Sequence, residues 1–474
     1  MKPSGFFRAA VALSISFIPG SASAHGSEAS IVLLLPTGYY LAGAALAVAA
    51  SFLLLAFMPV HLSDKIAAAR LPLGSVPNLA PWISSSLAFL FLTTLVASGL
   101  LGTRDPVGNP LPTMIWTIWW VCFTVLQSIT GPLWPHLNPW TGPRFILRKL
   151  SGRPAGEGAA LPLRPSIGYL IAIAQFSMFA WFELIDLAPS DPERLAMAVS
   201  GYWLVNLLGA MLCGEPFWMR YAEPFSIFFG LIGRLSPFDR KPIEGDRTQI
   251  ALAWPGRGLI DTAGLPLIAV LFILLTLSTV AFDGFSRTFL WLSAIDINPL
   301  EFPGRSVVVT SGTLGLIGMF VAQSTLYLGS VALGCALAGS TGHWKAAAGR
   351  LIYSIVPISL AFQAAHYLTT VLIDGQNALI AISDPFSLGW NLFGTADDHT
   401  TTSFLNTLDG VTRIFNAETA IITAGHVVGI VMAHLIALRI FKTPKAAVLS
   451  QIPLAVMMVS YTAFGLWLLA TPRI

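Results

Sequence analysis

Four ionisable side chains stand inside long apolar segments in the C-terminal third of this chain. His366 lies in the apolar run 350–373, and Glu418, His426 and His434 lie in the run 416–441. A charge at the centre of a bilayer costs about 2.5–3.5 kcal/mol or more, so ionisable groups at that depth are candidates for function. Imidazole is a common ligand of zinc and copper, and it can also accept or pass on a proton.

The spacing of the histidines limits what they can do together. His366 and His426 are predicted on neighbouring antiparallel helices, where the two rings could meet. Along one helix, His426 and His434 are about 12 Å and about 80° apart, which is too far for one metal ion. The alternative for each histidine is a hydrogen bond to a carbonyl or hydroxyl of a neighbouring helix.

A transition-metal site needs three or four ligands, and the N-terminus offers a third. Cleavage of a signal peptide after Ala24 would leave His25 with an α-amine and an imidazole on one residue. We therefore predict His25, His366 and His426 as ligands of zinc or copper. Glu418 and Asp374 are the predicted catalytic carboxylates, either of which could serve as a base.

The composition sets the framework that positions these residues. The chain is 55% hydrophobic and 10% charged, against about 25% charge in soluble domains. This predicts an all-α, polytopic membrane helix bundle, one domain over 25–474, with nothing that indicates nucleic-acid binding. Runs long enough to cross about 30 Å of hydrocarbon are 33–58, 81–101, 113–131, 166–187, 196–214, 262–282, 308–337, 350–373, 416–441 and 449–471.

Topology follows from the N-terminus and the basic residues. Lys2 and Arg8, an apolar stretch and Ala22-Ser23-Ala24 form a secretory signal over 1–24. Most Lys and Arg residues then fall in alternate loops, which predicts a bacterial inner-membrane protein with ten spans and the mature N-terminus outside. The acidic loop 374–415 is predicted outside.

Three further features bear on a site. Glu183 and Asp186 share a helical face and could ligate a cation, or Asp186 could simply lie at the interface. Gly425 and Gly429 form a G-x-x-x-G pattern around His426, which predicts close approach of a partner helix. The three cysteines are far apart, and the motifs of zincins, serine hydrolases, P-loop ATPases and c-type cytochromes do not occur.

Several strings resemble a family of bacterial multi-pass membrane proteins that is named fenitrothion hydrolase. They are Ala24-His25-Gly26, LWPHLNPW at 133–140, Glu223-Pro-Phe225 with RLSP at 234–237, AFDG at 281–284, SDP at 383–385 with GWNLFG at 389–394, and AGHVVG at 424–429 with Ala433-His434. The resemblance implies hydrolysis of an organophosphorus triester to a nitrophenol and a dialkyl (thio)phosphate. A divalent metal would supply hydroxide and stabilise the phosphoryl oxygen.

Two functions of different classes follow from the sequence. The first is a membrane-embedded, metal-assisted phosphoric or phosphorothioic triester hydrolase that takes an apolar small molecule from the bilayer. The second is a transporter or a copper- or other metal-handling protein, which the staggered His426 and His434 favour because a relay needs spaced sites. An assembly factor without a site of its own is a third, for which the histidines would be dispensable.

Overall fold

Ten helices in the described part of the chain are long and apolar enough to cross a membrane. A computed structural model describes residues 37–78, 80–152, 160–298, 301 and 304–471. In chain order the spanning helices are α1 (Thr37–Ala56), α2 (Pro81–Leu101), α3 (Pro110–Thr130), α4 (Pro165–Leu184), α5 (Pro192–Cys213), α6 (Leu267–Ser286), α7 (Arg305–Leu337), α8 (Thr341–His366), α9 (Leu408–Ile440) and α10 (Pro444–Ala470). The predicted all-α polytopic bundle is confirmed, and the predicted signal peptide and His25 lie outside the described residues.

Shorter elements connect the spans. The helices are Val60–Ala68, Trp134–Leu137, Thr141–Leu150, Glu215–Tyr221, Pro224–Gly233, Arg257–Ile260, Phe289–Ala294, Leu368–Ala381 and the 3₁₀ turn Ser403–Asn406. An antiparallel sheet, with strand order β1-β3-β2, joins β1 (Arg70–Pro77), β2 (Phe238–Ile243) and β3 (Arg247–Ala253). It links the α1–α2 connection to the α5–α6 connection, two segments that the sequence predicts on one side of the membrane.

Two helices form the centre of the bundle. α6 and α8 are buried over most of their apolar length, whereas in α1 only Ala44 and Val48 are buried in the isolated chain. A helix that is apolar all round is suited to a central position, because every face meets another helix. Asp283 lies in the last turn of α6, and His366 is the last residue of α8.

The helix ends near these residues differ from the predicted ones. The predicted run 350–373 is divided, because α8 ends at His366 and Tyr367 leaves helical geometry before Leu368–Ala381 begins. Asp374 therefore lies in a helix and not in a loop. α9 begins at Leu408, where the Thr407 hydroxyl accepts a hydrogen bond from the Gly410 N–H and caps the first turn.

Candidate functional site

A buried pair of ionisable residues joins the ends of α6 and α8. His366 Nε2 lies 2.8 Å from Asp283 Oδ2, and both side chains are almost completely buried. The Arg287 guanidinium, one turn further along, donates to Asp283 Oδ1 at 3.0 Å. Asp283 thus accepts from a guanidinium and from the imidazole, so the His366 Nε2 carries a proton.

A second carboxylate reaches the same place from α4. The Tyr367 hydroxyl lies 3.0 Å from Asp283 Oδ2 and 3.4 Å from Glu183 Oε1, and it has one proton to donate. Glu183 Oε2 is buried and has no hydrogen-bond partner among the described residues. We call Glu183, Asp283, Arg287, His366 and Tyr367 the Asp283 cluster.

The cluster lies where three helices end, so its electrostatics are demanding. The C-terminal carbonyls of α4, α6 and α8 carry partial negative charge, and Glu183 and Asp283 add two carboxylates there. Arg305 contributes a positive charge from the start of α7, and its guanidinium donates to the Asp186 carbonyl at 2.7 Å. The helix-end carbonyls and the two carboxylates therefore make this site favourable for a cation.

Asp186, which shares a helical face with Glu183 in the sequence, has a different role. Its carboxylate accepts two hydrogen bonds from Arg194, at 2.7 and 2.8 Å. Both contacts come from the same nitrogen, Nη2, and the Ala188 N–H also donates to Asp186 Oδ1 at 3.0 Å. Asp186 therefore ties α5 to the α4–α5 turn, and Glu183 alone of the two joins the cluster.

His426 stands apart from the cluster, deeper in the bundle. Its Nδ1 lies 2.9 Å from the Ile422 carbonyl, which can only accept, so Nδ1 carries the proton. The lone pair is then on Nε2, which is buried and has no partner among the described residues. A ring N–H fixed by an oxygen, with the other nitrogen open, is the state in which histidine ligates a metal.

His434, in the same helix, has the opposite arrangement. The Gln451 side-chain nitrogen donates to the Ala447 carbonyl at 2.7 Å and lies 3.4 Å from His434 Nδ1. Because an amide nitrogen only donates, Nδ1 accepts and the ring proton is on Nε2. His434 Nε2 and Gln451 Oε1 are both buried without a partner in the described part of the chain.

The predicted metal triad is not assembled within the described residues. The rings of Phe362 and Tyr461 form a chain of contacts between His366 and His426. The ring centroids are 5.9 Å apart for His366 and Phe362, 6.3 Å for Phe362 and Tyr461, and 6.2 Å for Tyr461 and His426. Between residues 37 and 471, excluding the segments left undescribed, no three His, Cys, Asp or Glu side chains are grouped as metal ligands. The metal site stays a prediction, since its third residue, His25, is not described.

The two predicted catalytic carboxylates lie on different helices. Glu418 is buried in the first half of α9. Asp374 is partly exposed in Leu368–Ala381 and accepts a hydrogen bond from the Asn377 amide at 3.3 Å. Their assignment as bases stays a prediction.

The G-x-x-x-G prediction around His426 is confirmed. A Cβ at Gly425 would lie 2.3 Å from Ala361 Cβ, and a Cβ at Gly429 would lie 2.7 Å from the Ser354 carbonyl oxygen. The absence of side chains at these two positions lets α9 pack directly on α8. This contact fixes His426 relative to the helix that carries His366.

A large apolar cavity lies beside α4, the helix that carries Glu183. It has a volume of about 1080 Å³ and is lined by α2, α3, α4 and α5, with Trp116, Trp119, Phe182 and Trp203 among its walls. Its α3 wall, Met114–Phe123, is a π-helix, a rare form that is frequent at functional sites.

The cavity wall is connected to the cluster through a hydrogen bond. Gln363, three residues before His366, donates to the Trp120 carbonyl of the π-helix at 2.8 Å. A shift of this wall would therefore act on the helix that holds His366.

Comparison with known proteins gives no relative: no protein-family model, no curated protein and no solved structure matches this chain. The function must be argued from the site alone.

Sequence reasoning identified Glu183 and His366 separately, and Asp283 only within the AFDG string at 281–284, but not their convergence. Arg287 and Tyr367 were missed. The signal for Arg287 is its position four residues after Asp283, which is ion-pair spacing on a helix. Tyr367 directly follows His366, but nothing in the sequence indicates that its hydroxyl meets two carboxylates from other helices.

Proposed function

We propose that this chain is a cation-handling membrane protein, in which buried histidines bind a transition-metal ion, with copper the first candidate, and move it or retain it. The observation that carries the proposal is the state of two imidazoles. His366 and His426 each give one ring N–H to an oxygen, at 2.8 and 2.9 Å, and Nε2 of His426 has no partner among the described residues. Metal-ligating histidines almost always have such an oxygen partner.

The location of the groups supports the same class of function. Ionisable residues within spanning helices are rare, and they mark ion pathways and proton relays. Here they occur at successive depths, with the Asp283 cluster at the end of α6 and α8 and with His426 and His434 following along α9. The distribution of basic residues supports a position of the cluster near the outer face of a bacterial inner membrane, as the sequence predicts.

His366 and His426 offer imidazole ligands that fit copper or zinc, but two imidazoles do not complete a metal site. Imidazole favours copper and zinc, and the Asp283 carboxylate orients one imidazole. A complete site needs a further ligand, for which His25 remains the prediction. When bound, the metal would be held by imidazole nitrogens, and the protein's own part is to fix their tautomers and exclude water.

The test is the metal content of the purified full chain, measured by elemental mass spectrometry. Wild type is compared with the His366→Ala/His426→Ala double variant, and His399→Ala in the 384–402 loop is the matched control. Stoichiometric copper or zinc in wild type and in the control, lost in the double variant, would support the proposal. Equal metal content in all three, or none in wild type, would refute it.

A second function, hydrolysis of apolar organophosphorus triesters, is favoured by two observations. Asp283 orients His366 through the 2.8 Å contact to Nε2, as a carboxylate orients the imidazole of a general base. The aromatic cavity of about 1080 Å³ beside α4 could hold an apolar ester that enters from the bilayer. Arg287 would keep Asp283 ionised during the reaction.

Hydrolysis is tested with fenitrothion and the purified protein, by following release of the nitrophenol. We expect His366→Gln to abolish turnover and His434→Gln to leave it unchanged. Turnover that survives His366→Gln, or none in the wild type, would reject the hydrolase and leave the cation-handling proposal standing.

A further inference from the structure

We infer that four arginine side chains, at the predicted inner ends of α6, α8 and α9, form a binding site for the headgroup of an anionic phospholipid. The arginines are Arg234, Arg257, Arg350 and Arg439, and they come from four different elements. All four bond to three consecutive residues, 260–262. The buried histidines take no part in these contacts, so the inference does not rest on the proposed function.

Asp261 holds two of the four arginines. It forms ion pairs with Arg257, one turn before it, and with Arg439, in the last turn of α9. The Asp261 side chain is 57% exposed, so the pairs lie at the protein surface. Two guanidinium groups share one carboxylate, which leaves one of their positive charges uncompensated.

The other two arginines have only neutral partners. Arg234 Nη1 lies 3.5 Å from the Thr262 hydroxyl, and Arg350 Nη2 lies 3.5 Å from the Ile260 carbonyl oxygen. The ion pairs within the described part of the chain involve other arginines. A guanidinium has five N–H donors, and one long contact uses only one of them. Both groups therefore keep donors and a full charge for a further partner.

The contacts confine the four groups to one small region. Consecutive Cα atoms are 3.8 Å apart, so residues 260–262 lie within about 7.6 Å. Tyr353 links the two unpaired arginines, because it lies within electrostatic range of both Arg234 and Arg350. Its hydroxyl donates to the Ala263 carbonyl, next to the same three residues, at 2.7 Å. The excess of three positive charges is thus spread over about one Debye length of 8 Å and can act on one anion.

Two glycines permit this close approach. A Cβ at Gly258 would lie 3.0 Å from the Arg234 carbonyl oxygen, and a Cβ at Gly264 would lie 3.0 Å from Arg350 Cγ. Both distances are shorter than ordinary van der Waals contact. Glycine at these positions therefore lets the chain segments that carry Arg234 and Arg350 pack directly on the segment before α6.

The chemistry of the four groups favours a phosphate. The planar guanidinium presents parallel N–H donors that match two oxygens of a phosphate, which the point charge of lysine does not. The excess of positive charge favours a headgroup with a net negative charge over a zwitterionic one. Basic pockets between spanning helices at the cytoplasmic side bind such headgroups.

The position of the arginines favours a lipid as the source of the phosphate. α6 begins at Leu267, five residues after the last contact, and Arg439 is one residue before the end of α9. The positive-inside rule accounts for basic residues in inner loops, but Arg350 and Arg439 lie within spanning helices. A bound headgroup would join the ends of the three helices that carry the candidate site.

Lipid binding is measured on the full chain by native mass spectrometry. Delipidated protein in detergent is titrated with dioleoyl phosphatidylglycerol, which is anionic, or with dioleoyl phosphatidylcholine, which is zwitterionic and has the same acyl chains. We expect tighter binding of phosphatidylglycerol by wild type. Arg234→Gln/Arg350→Gln should weaken that binding roughly thirtyfold, which corresponds to about 1 kcal/mol for each arginine. Asp261→Asn should strengthen it, because the carboxylate that competes with the phosphate is removed.

Arg148→Gln/Arg220→Gln is the matched control. It removes the same charge from the same predicted side, where these arginines lie over aromatic rings, 5.8 Å from the Phe145 centroid and 5.4 Å from the Tyr221 centroid. We expect the control to bind phosphatidylglycerol as wild type does. Arg234 is exposed, so Arg234→Gln alone serves if the double variant does not fold, and it should weaken binding roughly fivefold.

Three results would overturn the inference. Equal weakening in the control and the double variant would show that binding follows net charge alone. Equal affinity for the two lipids, or wild-type affinity in Arg234→Gln, would show that the arginines do not select an anionic headgroup. Displacement of phosphatidylglycerol by inorganic phosphate at equal concentration would assign the arginines to a soluble anion instead. Metal content and hydrolysis are separate readouts, so a failure here leaves the proposed function untouched.

Discussion

Replacing Asp283 by asparagine separates the role of its charge from the role of its shape. Asp283 accepts from His366 Nε2 at 2.8 Å, from Arg287 at 3.0 Å and from the Tyr367 hydroxyl at 3.0 Å. Asparagine has the same shape but turns one acceptor into an NH₂ group, which would face one of these donors. Arg287 would then stand largely buried beside a neutral group.

The expected loss follows from the buried position. Removing one partner of a buried ion pair costs roughly 3–5 kcal/mol, and for Arg287 the nearby Glu183 carboxylate would offset a part of that cost. The chain contains a matched control, Asp409 and Arg413, which have the same i,i+4 spacing at 2.9 Å but expose 74% and 78% of their side chains. An exposed helical pair contributes about 0.3–0.5 kcal/mol. We expect Asp283→Asn to destabilise the protein roughly tenfold more than Asp409→Asn does.

The assay is unfolding of the two purified variants and wild type by SDS titration in mixed micelles, followed by circular dichroism. The difference in unfolding free energy is read for each variant under one lipid and detergent composition. Equal, small losses below about 1 kcal/mol for both variants would show that Asp283 is not an ionised acceptor of three hydrogen bonds. The assignment of the His366 proton to Nε2 would then fall with it.

Four further substitutions test helix packing and two of the ionisable residues outside the spans. Gly425→Ala should destabilise the protein by about 1–3 kcal/mol in the same SDS titration, because the new Cβ would lie 2.3 Å from Ala361 Cβ. Gly329→Ala is the control: its Cβ would have no atom within 4 Å, so the substitution should be neutral or stabilising. Burial alone would raise the pKa of Asp261, but its two arginine partners lower it below the usual 3.8. Asp261→Asn should therefore cost less than about 1 kcal/mol at pH 7. The difference in unfolding free energy between wild type and Asp261→Asn is measured at a series of pH values. It should persist above pH 3.8 and vanish as the pH falls through the lowered pKa of Asp261. Burial raises the pKa of Glu223, whose carboxylate accepts from two backbone N–H groups at 3.0 and 2.6 Å. Glu223→Gln should lower the thermal midpoint, with a loss of about 1–3 kcal/mol from unsatisfied donors.

The spanning helices could be predicted because hydropathy reports the one constraint that dominates in lipid. A spanning segment must satisfy its backbone hydrogen bonds internally, so a long apolar run becomes a helix whatever its neighbours are. Helix ends are less constrained, since capping and contacts decide them. The run 350–373 illustrates this: its hydropathy continues across Tyr367, but the chain leaves helical geometry there.

The small sheet escaped prediction because its strands have weak signals. β1 contains Pro72, Gly74 and Pro77, residues that are depleted in strands. β2 is short, mostly exposed and half charged, and β3 is seven residues long with a mixed burial pattern. Pairing of β1 with β3 joins residues 170 or more positions apart, and no local pattern in a sequence reports such a contact.

The site was predictable residue by residue but not as an arrangement. Depth and residue type pointed to His366, His426 and His434, because burial of an ionisable group is costly wherever it occurs. What each imidazole can do depends on which nitrogen is protonated, and that is set by the partner: a carboxylate for His366, a carbonyl for His426 and an amide nitrogen for His434. Such partners come from helix packing, which periodicity does not encode.

The energetics of the Asp283 cluster argue that it is retained for function rather than for stability. A buried network of charges is often matched or exceeded in stability by apolar side chains of similar volume. α6 and α8 carry no other carboxylate, and their remaining buried polar residues are hydroxyl or amide side chains such as Thr276, Ser278 and Gln363. The concentration of two carboxylates, an arginine, a histidine and a tyrosine at the junction of three helix ends therefore agrees with the proposed cation-handling function. A quintuple apolar replacement that folds, resists SDS at least as well as wild type and carries no cation would demonstrate that separation.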